Sequence, residues 1–418
     1  MNSPRRIAYL VSQYPAVNHT YILREIRELR RLGWDIQVAS IRPDGRPLSE
    51  LTAEERAELS ETWCVITQGI PGAVRAHFLT LIRQTGPYMR GLLTALRLGG
   101  FDFSKAVRNF FYFTEALIVG RWMQSHNLRH VHIHFSSTVG YLIAKTFPIT
   151  FSITIHGPAE FEEPENFHLR EKIEAATFIC AISNYGCNQL MKASDPNQWS
   201  KLEIVRLGID PDVFLPDSTL PVEPASFEII SVARLSREKG QRVLIQAVAR
   251  LVEEGREVRL SLVGEGQDRT GIEEEIAACG LRGTVRLEGA LNQDALKTLY
   301  RTSDAFALAS FAEGVPVVLM EAMAMEIPCV ATRITGIPEL IEDGVDGFLV
   351  APSDVGQLAS ALRRLMDDPA LRNRIGKAGR RKVVEQYNLS KNAAILAEVF
   401  ERLIPKPPPS SAGKSSNE

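Results

Sequence analysis

The sequence has little of what marks a secreted, membrane-spanning or nucleic-acid-binding chain. Its five cysteines, Cys64, Cys180, Cys187, Cys279 and Cys329, are an odd number with no C-x-x-C pair. A disulfide framework is excluded, and Cys180, Cys279 and Cys329 stand in or beside apolar segments, as reduced core residues do. A cytoplasmic location is the expectation. No stretch approaches the ~18 apolar residues that a spanning helix needs. The nearest, FFYFTEALIVG at 110–120, is short and carries Glu115. The opening residues, MNSPRRIAYLVSQYP, hold one apolar run, Ile7 to Val11, and no small-residue cleavage site, so no signal peptide is expected. Charge of one sign is missing too. Against 48 Lys+Arg stand 50 Asp+Glu, a net charge of −2, which removes any global argument for nucleic-acid binding. There is no internal repeat of 20–50 residues. What remains is a globular composition, 45% hydrophobic and 23% charged, and 418 residues suffice for two domains.

Strand-like and helix-like segments alternate through most of the chain. RIAYLV (6–11), DIQVAS (35–40), VHIHF (131–135), FSITI (151–155) and TFICAI (177–182) read as buried strands. Between the first two, YILREIRELRRL (21–32) sets Ile22, Ile26, Leu29 and Leu32 on one helical face. Pro211, Pro216, Pro221 and Pro224 then break the pattern near 210–226. It restarts with a strand at 227–233, a helix at 241–255, a strand at 256–264 and a helix at 294–303. Strands at 304–309, 328–332 and 347–350 follow, with a last helix near 390–404 before a tail too polar to fold. This is βαβ grammar written twice, and it predicts α/β domains with parallel sheets covered by helices.

Residues 311–324, FAEGVPVVLMEAMA, space Glu313 and Glu321 eight positions apart across apolar residues. Pro316 predicts a helix start, because proline suits the first helical position. Glu313 then lies in the entering loop, beside Gly314, and Glu321 in the second turn. The first-turn amides, Val317 and Val318 among them, make a ready anion site. Carboxylates accept hydrogen bonds from neutral hydroxyls, so a sugar joined to a nucleoside diphosphate meets both needs. A helix cap at Glu313 and a solvated Glu321 fit the same spacing. In SVARLSREKG (231–240), Arg234 and Lys239 flank a strand-to-helix turn, where a diphosphate meets two cations; an ordinary solvated turn is the plain alternative. In LVGEGQDRTG (262–271), Gly264 and Gly266 do not fit the dinucleotide fingerprint, yet they allow a nucleotide to approach the backbone.

These pieces resemble the retaining glycosyltransferases of the large GT4 family. The resemblance runs through VARLSREKG (232–240), LVGEGQ (262–267), EGALNQDALKTLY (288–300) and EGVPVVLMEAMAMEIPCVATRITGIPELIEDGVDGFLVAP (313–352). The last carries the family's E-x7-E pattern. The first half matches more loosely, through SQYPAVNHTYILREIRELRRLG (12–33), HVHIHF (130–135), TIHGPAEF (154–161) and VRLGID (205–210), and is similar to the exopolysaccharide and colanic-acid branch.

The resemblance implies a GT-B fold, two facing Rossmann-like domains. Residues 1–210 form the acceptor domain, 211–226 a linker, 227–387 the nucleotide-sugar donor domain and 405–418 a disordered tail. A C-terminal helix at about 388–404 is expected to pack back on the first domain. By the same resemblance Arg234 and Lys239 bind the donor diphosphate and Glu321 accepts from the ribose. Glu313 contacts the transferred sugar, and the backbone of Gly314, Val315, Pro316, Val317 and Val318 holds sugar and phosphate, Pro316 giving no amide. His156, at a strand end before Gly157–Pro158, matches the histidine beside the reaction centre. No metal or other cofactor is implied. His132 and His134 share one strand face, but no third ligand of fixed spacing accompanies them.

The chain departs from the family in two places. Glu326 stands where glycine is usual, at a cost of about 1 kcal/mol if the position is left-handed. The loop SQYPAVNHT lacks the usual glycine pair, leaving Asn18, His19 and Thr20 as polar contacts for the acceptor. Within 73–112, Arg75, Arg83, Arg90, Arg97, Lys105 and Arg108 face a single acid, Asp102, among many aromatics. Such helices attract anionic membrane surfaces, although a core-facing helix with a solvated basic side has the same composition. The expected function is sugar transfer from a nucleotide-diphosphate sugar to a glycan or lipid-linked acceptor, in the cytoplasm or at the inner membrane face. A GT-B nucleotide-sugar epimerase and an inactive sugar-nucleotide-binding subunit are the alternatives.

Overall fold

Alternation along single strands shows how the layers form. In β1 (Arg6–Gln13), Ile7, Tyr9 and Val11 join one apolar cluster while Ala8 and Leu10 join another. A strand buried on both faces needs helices on both sides. The computed structural model describes residues 5–16, 19–216 and 226–405. Part of the linker, 217–225, and the tail from 406 lie outside the described residues, as does Asn18.

The first sheet is completed by β2 (Asp35–Arg42), β3 (Trp63–Cys64), β4 (His130–His134), β5 (Thr150–Ile155), β6 (Ile179–Ala181) and β7 (Leu202–Ile204). Its order is β3-β2-β1-β4-β5-β6-β7, and all its pairs are parallel. The second sheet holds β8 (Phe227–Val232), β9 (Val258–Val263), β10 (Val285–Gly289), β11 (Ala305–Leu308), β12 (Cys329–Thr332) and β13 (Phe348–Val350). Its order is β10-β9-β8-β11-β12-β13, again all parallel. Strand order reverses between β1 and β4 and between β8 and β11. In open α/β sheets, ligands bind beyond the carboxyl ends of strands at such reversals.

Helix α1 (Thr20–Arg31) buries Ile22, Leu23, Ile26 and Leu29, the stripe that its periodicity predicts. Three helices fill the span left unassigned by sequence: α2 (Gly69–Arg83), α3 (Thr85–Gly99) and α4 (Phe103–Ser125). They pack closely through small residues. A Cβ on Gly99 would stand 2.6 Å from the Ala106 backbone, and one on Gly91 would stand 2.1 Å from Thr146 Oγ1. Their outer sides are apolar: Ile70, Val74, Phe78 and Ile82 on α2, Met89, Leu93 and Leu96 on α3, and Phe103, Val107, Phe110 and Phe111 on α4 are all exposed. Their inner sides face the core, with Ala76, Ala95, Phe113 and Leu117 buried as the core-facing reading expects, while the outer stripes have no covering layer among the described residues. No helix of the described residues is long and apolar enough to cross a membrane.

In the second domain, α5 (Val317–Ala324) follows β11. The helix begins one residue later than the proline suggests, with Pro316 as its N-cap. Its end passes through Glu326, whose φ is +61°. That is the left-handed backbone that glycine adopts without penalty. Glu326→Gly is expected to stabilise the protein by about 0.5–1 kcal/mol, net of the entropy glycine adds to the unfolded chain. Thermal unfolding should show the midpoint rising by about 1–3 °C; a fall would mean that the glutamate side chain contributes more than its backbone costs.

The last helix, α6 (Leu389–Leu403), returns to the first domain. Phe400 is fully buried there, its ring 6.4 Å from Tyr9, 5.3 Å from Trp34 and 5.0 Å from His132. Burying such a side chain contributes about 1.5–3 kcal/mol.

Candidate active site

The loops after β8 and β11 meet at the strand reversal of the second sheet. Gly240, at φ +64°, lets the first loop turn tightly; a Cβ there would lie 2.1 Å from the Ala309 carbonyl oxygen. The consequence is that Lys239 Nζ donates to Glu313 Oε1 at 2.8 Å and to the Ala312 carbonyl at 3.3 Å. Ser310 Oγ donates to the same Glu313 oxygen at 2.7 Å, and Thr335 Oγ1 to its carbonyl at 2.6 Å. Glu313 is thus locked at the entrance of α5, with one carboxylate oxygen, Oε2, left open. Arg234 lies on the same turn, but its side chain is 61% exposed and bonds only Glu238, at 2.7 Å. It does not join the Lys239–Glu313 pair and is free to swing to a ligand.

Gly264 and Gly266 have a structural duty that spacing does not reveal. A Cβ on either would stand 2.1 Å from a backbone oxygen of the Arg234 turn, that of Ala233 or Leu235. They let this loop pack directly against the cationic turn.

Val315 is buried, while Val317 and Val318 are partly exposed in the first turn of α5. Glu321 lies deeper. Arg24 of α1 reaches across from the first domain to within 3.4 Å of Oε1, and the Tyr300 hydroxyl stands 3.5 Å from Oε2. Burial pushes the Glu321 carboxyl up, against the opposing pull of Arg24. Both contacts are long, so each oxygen keeps capacity to accept another donor. No motif spacing identifies Arg24, because it lies in the other domain.

The facing wall is built at the reversal of the first sheet. His156 follows β5, and Phe135 follows β4 with φ +65°, a rare conformation for a bulky residue. The Phe135 ring stacks on His156 at 4.9 Å and on His19 at 4.5 Å. Tyr21 approaches His156 at 5.1 Å. His19 therefore joins His156, while Thr20 opens α1. The domains touch here: a Cβ on Gly314 would lie 2.0 Å from the His156 carbonyl oxygen, so only glycine permits this closure. Nearby, Glu339 of the second domain accepts from the backbone amides of Asn184 and Tyr185 at 2.9 and 2.7 Å.

Behind His156 lies a buried ladder of histidines. His130 and His132 each engage two hydroxyls of β5, from Thr150, Ser152 and Thr154, at 2.8–2.9 Å. Burial pushes His130 down to about 3 and His132 down as well, which keeps both neutral. Glu25 of α1 completes a trio in which Glu25, His132 and His134 place one potential ligand atom each within 4.8 Å of one another. Strand spacing hides this third member because it comes from a helix. Both nitrogens of His132 are already hydrogen-bonded.

Two α/β domains whose ligand-side loops face each other across one cleft define the GT-B architecture of glycosyltransferases. Residues 220–382 match the family model described as Glycosyl transferases group 1. It is 26% identical over 416 residues to the amylovoran biosynthesis glycosyltransferase AmsK of Erwinia amylovora, covering 95% of this chain and 100% of that one. It is 34% identical over 231 residues to the putative colanic acid biosynthesis glycosyltransferase WcaL of Escherichia coli, covering 53% of this chain and 56% of that protein. The matches above 30% identity span about half the length of each relative. Among solved structures, Anabaena HepE in complex with UDP-glucose has the same fold, with a TM-score of 0.70 at 17% identity over 95% of this chain and 100% of that one.

Proposed function

We propose that this glycosyltransferase moves a sugar, with retention, from a nucleotide-diphosphate sugar to a glycan or lipid-linked acceptor in exopolysaccharide or cell-envelope polysaccharide synthesis. The observation that carries the reading is the 2.8 Å pair of Lys239 and Glu313 at the N-terminus of α5, opposite His156. Lys239, Arg234 and the amides of Val317 and Val318 receive the diphosphate and stabilise its charge as the glycosidic bond breaks. With these groups in place the step calls for no metal. Glu313, fixed by three hydrogen bonds, presents its open oxygen to sugar hydroxyls, and Glu321 accepts from the ribose. His156 and His19 line the acceptor side. The polysaccharide context rests on the names of AmsK and WcaL, and the nucleotide-sugar donor is consistent with the ligand held by HepE.

The apolar stripes of α2, α3 and α4, flanked by exposed Arg75, Arg83, Arg90, Arg97 and Arg108, support attachment to the anionic inner face of the cell membrane. A lipid-linked acceptor would be presented there.

Incubation with radiolabelled nucleotide sugars and lipid-extract acceptors tests the activity. Transfer is the expected result. Donor conversion without acceptor would indicate an epimerase, and binding without turnover an inactive subunit. The donor site has its own test in a thermal-shift panel of nucleotide sugars. At a hundredfold excess over Kd a donor should stabilise the wild type by about 2.7 kcal/mol. In Glu321→Gln and Glu321→Ala the ligand-induced shift should correspond to about tenfold weaker binding. Equal shifts in all three proteins would remove Glu321 from the site.

A further inference from the structure

His156 has one ring nitrogen engaged and one without a partner. Its Nε2 lies 2.7 Å from Nδ1 of His134. Its Nδ1 is buried and has no hydrogen-bond partner in the protein. A buried polar atom left unpaired is costly unless a ligand completes it. Whether that atom offers a proton or a lone pair decides what the ligand must bring. The answer is set by two side chains behind it, His134 and Glu25.

His134 is fully buried, and its Nε2 has no hydrogen-bond partner of good geometry; its nearest acceptor is Glu25 Oε1, at 3.3 Å. The same oxygen accepts from the Tyr9 hydroxyl at 3.0 Å. A carboxylate only accepts, so a His134 ring with a single proton carries it on Nε2, facing Glu25. The opposite tautomer would bury a nitrogen lone pair against a carboxylate oxygen. With Nε2 protonated, Nδ1 of His134 is an acceptor. The 2.7 Å contact then requires His156 to donate from its Nε2, which leaves Nδ1 bare. Double protonation is opposed by burial and by the neighbouring His134 and His19, which push His156 well down.

We propose that Glu25 and His134 are positioning residues that hold His156 as its Nε2–H tautomer, so that its Nδ1 accepts a hydrogen bond from a ligand hydroxyl. The role of that hydroxyl rests on the glycosyltransferase reading of the cleft; the tautomer does not. The relay joins α1, β4 and the end of β5, and α1 also carries Arg24 to Glu321. One helix thereby aligns a polar group on each side of the cleft.

Full-length protein labelled with 15N-histidine tests this by long-range 15N–1H correlation. Wild-type His156 should show a protonated Nε2 and a bare Nδ1. Glu25→Gln keeps the side-chain shape but can donate to His134, and there the proton of His156 should shift toward Nδ1. Tyr9→Phe removes a hydroxyl from the same carboxylate without changing its charge and should leave the tautomer as in wild type. With a transferable donor in hand, Glu25→Gln should lower kcat by about 10–100-fold with KM for the donor nearly unchanged. A wild-type His156 protonated on Nδ1, or a tautomer unmoved in Glu25→Gln, overturns the proposal. A tautomer that shifts as expected in a protein that transfers no sugar leaves the relay standing and removes the transferase reading instead.

Discussion

Replacing Lys239 by alanine is expected to lower sugar transfer by about 10²–10³-fold, the usual loss when one preorganised charge is withdrawn from a developing anion. Lys239 is held at 2.8 Å from Glu313 and within 3.3 Å of the Ala312 carbonyl, with 19% of its side chain exposed. Its ammonium therefore costs little reorganisation when the diphosphate departs. Its removal also leaves Glu313 with Ser310 as the one side-chain donor to its carboxylate, so the sugar contact loosens as well. Arginine should not rescue the site, because a planar fork does not replace a compact point charge inside a tight turn. The kinetic signature is a fall in kcat with a smaller change in KM, since the interaction strengthens as the bond breaks. Arg234 is 61% exposed and paired with Glu238 alone. Its substitution should act more on donor KM. A Lys239→Ala enzyme with near wild-type kcat would remove Lys239 from leaving-group stabilisation.

The triple substitution Phe78→Ser, Phe103→Ser and Phe111→Ser is expected to weaken binding to anionic vesicles by about two orders of magnitude. These rings are 60%, 83% and 62% exposed. Each contributes about 1 kcal/mol if half its apolar area enters the lipid interface. None is part of the buried core, so folding should be unaffected. Flotation with phosphatidylglycerol-containing vesicles at low salt measures the effect. A wild-type protein that stays in solution, or a triple variant that floats equally well, would refute membrane attachment through these helices. Raising the salt should release the wild type only in part, because screening weakens the arginines and leaves the apolar stripes untouched.

The fold was legible in the sequence where buried strands leave continuous apolar runs. IAYLV, FSITI and FEIISV all mark strands of the parallel sheets, and the four-residue spacing of Ile22 and Ile26 marks α1. The two-residue β3 and the strands at 202–204 and 285–289 were not read, because strands this short or half-buried carry little periodicity. The span from 43 to 125 escaped assignment for a related reason. Its long helices bury one side, with Phe113, Leu117 and Met123 in the core, and expose apolar residues on the other, so no clean polar face marks their period. The left-handed turn at Glu326 was legible as the place where a glutamate replaces an expected glycine, and the structure puts φ at +61° there.

Local order determined the pairing of roles along one segment. Glu313 in a loop, Pro316 at a helix start and Glu321 in the second turn follow from residue types and the helical repeat alone. Tertiary structure decided everything that depends on residues far apart in the chain. It set Lys239 against Glu313, turned Gly264 and Gly266 toward the Arg234 turn, and brought Arg24 to Glu321. It also lined up Glu25, His134 and His156 from a helix and two strand ends. The physical reason is that spacing encodes contacts within one element, where geometry repeats. Contacts between elements depend on sheet order and domain closure, which arise only when the whole core has packed.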